Sequence, residues 1–509
     1  MAFIGSLIKN AIDISENFVL DKNPLESQQK VLKDLLEKAK DTAFGKYYGF
    51  AEILDSPDFE KAFQDRVPYF DYKQMQEKWW CQLHKGLGDI SWPGKPEYYA
   101  ISSGTTGKTS KKIPLTDDML ESVRRGGIAQ VTAMKHFKMP EDFFEKEIMM
   151  LGSSTNLIEK DGHYEGEISG ISAGNIPFWF RGYYKPGEEI AKIEDWDERV
   201  QHIAENAKNW DIGALSGIPS WMELMLKKVI DYHNADNIHD IWPNLKAFTS
   251  GGVAFEPYQK SFHALMGKKV QVIDTYLASE GFIACQQRPE TSSMRLLTDN
   301  GIYFEFVPFK PDYINSDGSL SQDAPVKNLA EVEPEKDYIL LLSSVSGAWR
   351  YLIGDTIKFT DVDRAEIRIT GRTKFFLNVV GSQLSVNKMN DAIQKLEEKH
   401  DLKFPEFTVA AEKIDGDFHH HWFLGLNDEK SVDEEQLAKD MDEFLKEANK
   451  NYAVARGKAL EGVKVSVIPL NIFHEWSSKN KKKGGQVKME KVMDEEKFSD
   501  FKEFVDNQK

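Results

Sequence analysis

Apolar and polar positions along this chain change period, and the changes mark its organisation. Up to about residue 80 the spacing is helical, with Leu25, Val31, Leu32, Leu35 and Leu36 forming one apolar face. From about Glu97 short apolar runs take over, namely Glu147-Ile-Met-Met-Leu151, Ile212-Gly-Ala-Leu215, Leu245-Lys-Ala-Phe-Thr249 and Val270-Gln-Val-Ile273. Helical stretches at 117–137, 195–208, 220–232 and 256–266 separate them. Strand-sized runs alternating with helices predict an α/β core. A β-rich part follows at 302–308, 338–345, 356–360 and 366–370.

After Gly371-Arg-Thr-Lys374 a smaller α+β pattern begins. It reads as a helix at 387–399, strands at 406–414 and 419–426, a helix at 433–449 and a strand at 463–469. The expected division is a large N-terminal α/β domain, 1–375, with a β-rich subdomain, and a small C-terminal α+β domain, 376–509. The size of the chain, 509 residues, suits two or three domains. The stretch 478–490, with Lys481-Lys-Lys-Gly-Gly485, reads as an exposed loop.

Composition narrows the function classes. A net charge of −17 argues against nucleic acid or an anionic membrane as partner. No segment approaches eighteen uncharged apolar residues, so no membrane-spanning helix is predicted. The first residues, Met1 to Ile14, lack a basic start, and Lys9, Asp13 and Glu16 interrupt the apolar run, so an amphipathic helix is predicted and not a signal peptide. Two cysteines, Cys81 and Cys285, offer neither a disulfide framework nor zinc spacing and fit a reducing cytoplasm.

The candidate chemistry is densest at Tyr98-Tyr-Ala-Ile-Ser-Ser-Gly-Thr-Thr-Gly-Lys-Thr-Ser-Lys-Lys-Ile-Pro114. An apolar strand runs into Ser102, Ser103, Gly104, Thr105, Thr106, Gly107 and Lys108, and a second strand closes on Lys112. Small residues let backbone N–H groups approach an anion, and hydroxyls add donors. A Walker A loop would need glycine at 102, where serine stands, and a helix directly behind it, which Ile113-Pro114 disfavours. The pattern is that of a strand–loop–strand phosphate clamp; a plain surface hairpin has the same composition. Lys108, Lys111 and Lys112 would supply local positive charge in an acidic chain.

Ser250-Gly251-Gly252 and Asp274-Thr275-Tyr276-Leu-Ala-Ser279-Glu280 each follow a strand, where ligands collect in open α/β sheets. Tyr276 could stack on a purine, Ser279 donate to a phosphate and Glu280 hold Mg²⁺ through oxygen; a turn with a core tyrosine and a solvated glutamate is the bland alternative. Gly354-Asp355 places a carboxylate able to take two ribose hydroxyls, or is an ordinary Gly-Asp turn. His419-His-His421 lacks metal-site spacing and reads as surface or structural.

In order along the chain, Ser-Ser-Gly-Thr-Thr-Gly-x-x-x-Lys-Lys-x-Pro, Tyr-x-x-Ser-Glu, Arg-Tyr-x-x-Gly-Asp and Gly-Arg-x-Lys resemble the adenylate-forming superfamily of acyl ligases. More narrowly they resemble the auxin-responsive Gretchen Hagen three family of acyl acid–amido synthetases, and Val386-Asn-Lys-Met-Asn390 is similar to that family's hinge element. The resemblance implies an ATP- and Mg²⁺-dependent enzyme with a mobile C-terminal domain. It would adenylate a carboxylic acid and pass the acyl group to an amine, expected to be an amino acid. Loop 102–108 would hold the β/γ phosphates, Glu280 the metal, Tyr276 the adenine and Asp355 the ribose. Gly251, Gly252, Thr275, Ser279 and Arg372 complete the nucleotide set. Lys488 would bridge carboxylate and α-phosphate, and Lys388 would contact phosphate in one domain orientation.

Two departures stand out. Gly484-Gly-Gln-Val-Lys488 has Val487 where the family has tyrosine, with Met489-Glu490-Lys491 in place of x-Pro-Arg, which leaves Lys483 and Lys491 as rivals to Lys488. Leu352-Ile353 stands where the family has Arg-Val. An acyl-coenzyme A ligase is the alternative enzyme, and a non-catalytic nucleotide-binding regulator the remote one. No obligate protein partner is indicated.

Overall fold

The computed structural model describes the chain except residues 1–22, 103–110, 177–179, 253–254, 256–257, 311–312, 315–319, 374–375, 378–383, 415–416, 428–431, 449–451, 454–455, 457–459, 480–488, 494 and 509. In chain order the first strands are β1 (Tyr98–Ser102), β2 (Lys111–Leu115), β3 (Glu147–Leu151), β4 (Ile158–Lys160), β5 (His163–Gly166), β6 (Tyr184–Lys185), β7 (Ile212–Gly217) and β8 (Ala247–Gly251). Next come β9 (Gln271–Ala278), β10 (Gly281–Cys285), β11 (Met294–Leu296), β12 (Ile302–Pro308), β13 (Asp337–Ser344), β14 (Tyr351–Asp361) and β15 (Glu366–Arg372). The last are β16 (Phe376–Leu377), β17 (Leu384–Ser385), β18 (Glu406–Ile414), β19 (Asp417–Leu426) and β20 (Leu460–Pro469).

One 11-stranded sheet, ordered β12-β13-β14-β15-β11-β10-β9-β8-β7-β3-β6, dominates. Its β6-β3-β7-β8-β9 half is parallel, and every pairing from β9 to β12 is antiparallel. The change of sense falls at the β9–β10 hairpin. Helices Trp196–Asn206 and Pro219–His233 cover the parallel half around Ile203, Leu226, Trp242 and Phe248. The N-terminal helices bury Leu32, Leu36, Phe44 and Phe63 against the antiparallel half, with Trp349 stacked on Phe44 at 5.7 Å.

The four-stranded sheet β2-β1-β5-β4 carries the expected phosphate segment between its first two strands, which pair antiparallel from Tyr98–Leu115 to Ser102–Lys111. Beyond residue 384, β18-β19-β20 form a separate sheet with its own core around Val409, Trp422 and Leu437. The expected α/β class is borne out, and the strands fall close to the predicted runs.

Three local readings change. The predicted 117–137 helix is α-helical over Asp117–Ala133 and tightens to 3-10 geometry over Met134–Phe137. Gly354-Asp355 is not a turn: β14 runs through it unbroken, with Gly354 at φ +94 absorbing the kink. The C-terminal stretch read as loop begins inside helix Leu470–Lys479, and a further helix spans Glu495–Asp506; Phe473, Phe498 and Phe501 pack together on the outer face of β19. The predicted N-terminal helix lies outside the described residues.

Candidate active site

The Ser279-Glu280 pair forms the two-residue tip of the β9–β10 hairpin, closed by Ala278 opposite Gly281. A tip glutamate is ordinarily solvated, yet Glu280 is 5% exposed. The reason lies next door. Gly281 has φ +145, and a Cβ there would stand 2.7 Å from Ile302 Cδ1, so the tip is tucked under β12 and helix Asp117–Ala133. Tyr351, fully buried at the start of β14, faces this carboxylate. Burial raises its phenol far above the usual value, and the charge of Glu280 adds to that.

Two residues before the end of β9, Tyr276 is 6% exposed and donates its hydroxyl to Asp355 Oδ2, itself 6% exposed on β14. Strands β9 and β14 stand four places apart, which in a flat sheet is about 19 Å. A Tyr–Asp hydrogen bond cannot bridge that, so the antiparallel half curls back over the switch point. The curl sets β14 against the β9–β10 hairpin, with Asp355 beside Tyr276 and Tyr351 beside Glu280, so each acid has a buried phenol next to it.

The glycine pair of β8 lies alongside. Gly251 is the register partner of Thr275, whose Oγ1 donates to the Ser250 carbonyl at 3.0 Å, and Gly252 has φ +83. A Cβ on Gly251 would come within 2.8 Å of Thr275 Oγ1, so glycine permits this approach. Arg372 is the register partner of Asp355 across β14–β15. From the other sheet, Lys111 at the start of β2 holds its ammonium 5.9 Å from the Tyr351 ring and 5.8 Å from that of Tyr72.

Lys112 corrects the reading of spare positive charge. Its Nζ meets Glu165 Oε1 at 2.5 Å, and its backbone N–H donates to Tyr72 Oη at 2.9 Å. Burial pushes the Glu165 carboxyl up, but hydrogen bonds from Lys112 and from His163 at 3.0 Å outweigh it and hold it below the usual range. Lys112 is therefore committed within its own sheet.

Other expected positions stand apart. Lys388 lies in the first turn of helix Val386–His400, its side chain 46% exposed and 3.8 Å from Asp391. Ser102 ends β1; Ser103, Gly104, Thr105, Thr106, Gly107 and Lys108 lie outside the described residues, as do Lys483 and Lys488. Lys491, the other rival, is tied to Glu406 at 2.7 Å and sits over Phe407.

Of the histidine run, His420 and His421 are buried and His419 is half-buried, so the structural reading holds for the two buried rings. His421 meets Glu412 Oε2 at 2.7 Å and Ser466 Oγ at 3.0 Å, and burial lowers its pKa to about 4. Burial likewise lowers His420 to about 3.

Arg350 and Tyr351 carry structure that sequence reasoning missed. Arg350 Nε meets Glu305 Oε2 at 3.0 Å, both side chains being almost wholly buried, and its Nη1 donates to the Gln64 and Val67 carbonyls. The signal was present: Glu305 is the lone charge in the apolar run Ile302-Tyr-Phe-Glu-Phe-Val-Pro308.

Family models match most of the chain. The GH3 family N-terminal domain matches residues 18–202, the GH3 family central domain 295–372 and the GH3 family C-terminal domain 387–497. A jasmonoyl-L-amino acid synthetase of Nicotiana attenuata is 22% identical over 91% of this chain and 89% of its own length. One from Oryza sativa subsp. japonica is 27% identical over 79% and 80%. The match to a probable indole-3-acetic acid-amido synthetase of that rice is 25% identical and spans 46% of this chain and 56% of that relative. Among solved structures, a GH3.15 acyl acid amido synthetase superposes with a TM-score of 0.77 at 16% identity, covering 98% of this chain and 96% of the other. A 2-hydroxyisobutyryl-CoA ligase bound to its acyl-adenylate superposes at 0.59 and 13%, covering 95% and 92%. The expected acyl acid–amido synthetase class is borne out by these relatives. With three family domains matched in order over well more than half its length, the chain belongs to the GH3 family.

Proposed function

We propose that this chain activates a small-molecule carboxylic acid as its adenylate and transfers the acyl group to the amine of an amino acid. The observation that carries the reading is the convergence of Glu280, Tyr276 and Asp355 at the switch point of the large sheet, beside the strand that leaves the phosphate segment. In the first half-reaction a carboxylate oxygen attacks the α-phosphorus of ATP, the bond to the β-phosphate bridging oxygen breaks, and pyrophosphate leaves. In the second, the amine nitrogen attacks the acyl carbon, the bond to AMP breaks, and the nitrogen loses a proton to give the amide.

A carboxylate is a poor acyl donor because its leaving oxide is strongly basic; a mixed anhydride with AMP removes that obstacle. The protein's work is then orientation and charge neutralisation. Asp355, held by Tyr276, is assigned the ribose hydroxyls. Ser102 through Lys108 are assigned the β/γ phosphates, and Gly251, Gly252, Thr275, Ser279 and Arg372 line the nucleotide. A buried carboxylate oxygen suits a hard cation, so Glu280 fits Mg²⁺, which when bound would offset phosphate charge. Lys488 is assigned to the carboxylate–phosphate pair and Lys388 to phosphate in a second orientation of a C-terminal domain beginning near 376. Closure would shield the adenylate from water. Both cysteines are free thiols, in keeping with a cytoplasmic setting.

The test is acid-dependent ATP–pyrophosphate exchange over a panel of carboxylic acids, followed by mass analysis of products with pooled amino acids and coenzyme A present. An amide is expected. A thioester as the sole product moves the chain to the acyl-coenzyme A ligases, and no exchange with any acid removes the ligase reading.

A further inference from the structure

We propose that Glu406 is a positioning residue that couples the seating of the C-terminal sheet to residues 489–491, the segment that follows Lys488 in the chain. The inference rests on the ligase reading for the role of Lys488, and on geometry for the rest.

Glu406 opens β18, and its two carboxylate oxygens serve two different parts of the chain. Oε1 accepts from the Tyr258 hydroxyl at 2.8 Å. Tyr258 belongs to the core of the parallel half, packed with Phe255 and Phe262 and 6% exposed. Oε2 accepts from Lys491 Nζ at 2.7 Å. Lys491 in turn is stitched to the C-terminal sheet: Val409 N–H donates to its carbonyl at 3.0 Å, and Thr408 Oγ1 donates to the Glu490 carbonyl at 2.8 Å. One carboxylate thus joins the large sheet's helical layer, the edge of the small sheet and a point three residues beyond Lys488.

Among the described residues the two layers approach closely here. Ser220 and Trp221 of helix Pro219–His233 face His474 and Ser477 of helix Leu470–Lys479 across a cavity of about 20 Å³, room for a single water. Burial raises the Tyr258 phenol far above its usual value, and the Glu406 charge adds to this, so the tyrosine remains a donor throughout the accessible pH range. A buried neutral donor on a carboxylate that also holds an ammonium makes a directional contact that forms in this seating and is lost when the units turn apart. Losing one hydrogen bond to a charged acceptor should move a two-state seating equilibrium by about tenfold or more.

Tyr258→Phe removes only the hydroxyl, and Glu406→Gln weakens both contacts while keeping the shape. Two readouts on the full chain test the proposal. Hydrogen exchange should rise across helices 219–233 and 470–479 in both variants, and across 489–493 in Glu406→Gln alone. The ratio of acid-dependent ATP–pyrophosphate exchange to aminolysis of a supplied acyl-adenylate should shift about tenfold in Glu406→Gln, and in the same direction in Tyr258→Phe. Equal loss of both half-reactions, or unchanged exchange at the seam, overturns the proposal. If the wild-type chain performs neither half-reaction, the ligase reading fails, while the exchange pattern still decides whether the contact latches the seam.

Discussion

Two regions of this molecule bury carboxylates, and they treat them differently. Around the C-terminal sheet, Glu412 of β18 meets Lys502 and His421, and Asp442 of helix Glu434–Ala448 meets Arg456 at 2.7 Å and the Tyr452 hydroxyl at 2.6 Å. Hydrogen bonds from Lys502 and the His421 ring to Glu412, and from Arg456 and Tyr452 to Asp442, overcome burial and hold both acids below the usual carboxylate range. At the β9–β10 tip, Asp355 takes a phenol and Glu280 faces one. A cation fixed by the fold neutralises an acid permanently and so serves stability. A neutral phenol orients an acid without adding a positive charge beside it, and in these partners Asp355 and Glu280 stand apart from Glu412 and Asp442.

The largest effect should come from Glu280→Gln, which keeps the volume and removes the charge. If the acid serves the reaction, acid-dependent pyrophosphate exchange should fall by about a hundredfold or more, with little change in thermal midpoint. Unchanged exchange would mean that the buried tip acid is structural, and the contrast between the two regions would collapse.

The C-terminal sheet makes the opposite prediction, a pH dependence of folding without a catalytic effect. His421 is held neutral, its pKa lowered from 6.5 to about 4 by burial, with Lys464 lowering it further and Glu412 opposing. A depressed histidine contributes stability that is fully present above about pH 6.5 and lost as pH falls through about 4. Glu412, depressed too, adds loss in the same direction below its own ordinary range. The amount at stake for His421 is up to about 3 kcal/mol. Denaturation of the C-terminal sheet followed from pH 7 to pH 4 should show it, and His421→Phe should flatten the profile. A flat profile in the unmodified chain would contradict a neutral buried ring.

Much of this contrast was legible in the sequence, and the rest was not for identifiable reasons. Periodicity marked β3, β7, β8, β12 and β18 because their apolar runs are bounded by polar or glycine residues. The Tyr-x-x-Ser-Glu and Gly-Asp segments could be singled out as sites, but not their meeting. That meeting depends on a sheet curling across four strand positions, which no local pattern encodes. The Gly-Asp pair left a turn open as an alternative because turn composition and a kinked strand share the same residues. Helix Glu495–Asp506 was missed although Phe498, Phe501, Phe504 and Val505 repeat at helical spacing. Lys112 seemed available for phosphate because its partner Glu165 lies 53 residues away.

A smaller effect separates the two members of the Asp355–Tyr276 pair. Asp355→Asn keeps an acceptor but loses the charge, and nucleotide affinity measured by calorimetry should weaken by about 1.5–3 kcal/mol. Tyr276→Phe removes only the hydroxyl that orients the acid and should cost about 0.5–1.5 kcal/mol. A larger loss from Tyr276→Phe than from Asp355→Asn would make the tyrosine the ligand contact and the aspartate its support.

The smallest effect on folding belongs to Lys388, and for that reason it isolates chemistry. Its ammonium is about half exposed and 3.8 Å from Asp391, a pairing worth at most about 0.5 kcal/mol on a helix surface. Lys388→Ala should therefore leave denaturation within error of the parent. If Lys388 meets phosphate in a second orientation, aminolysis of a supplied adenylate and ATP–pyrophosphate exchange should respond unequally to this substitution. Equal rates in both assays would return Lys388 to an ordinary surface residue. The hinge element would then have to work through its backbone alone, since no folding defect could be invoked to explain the outcome.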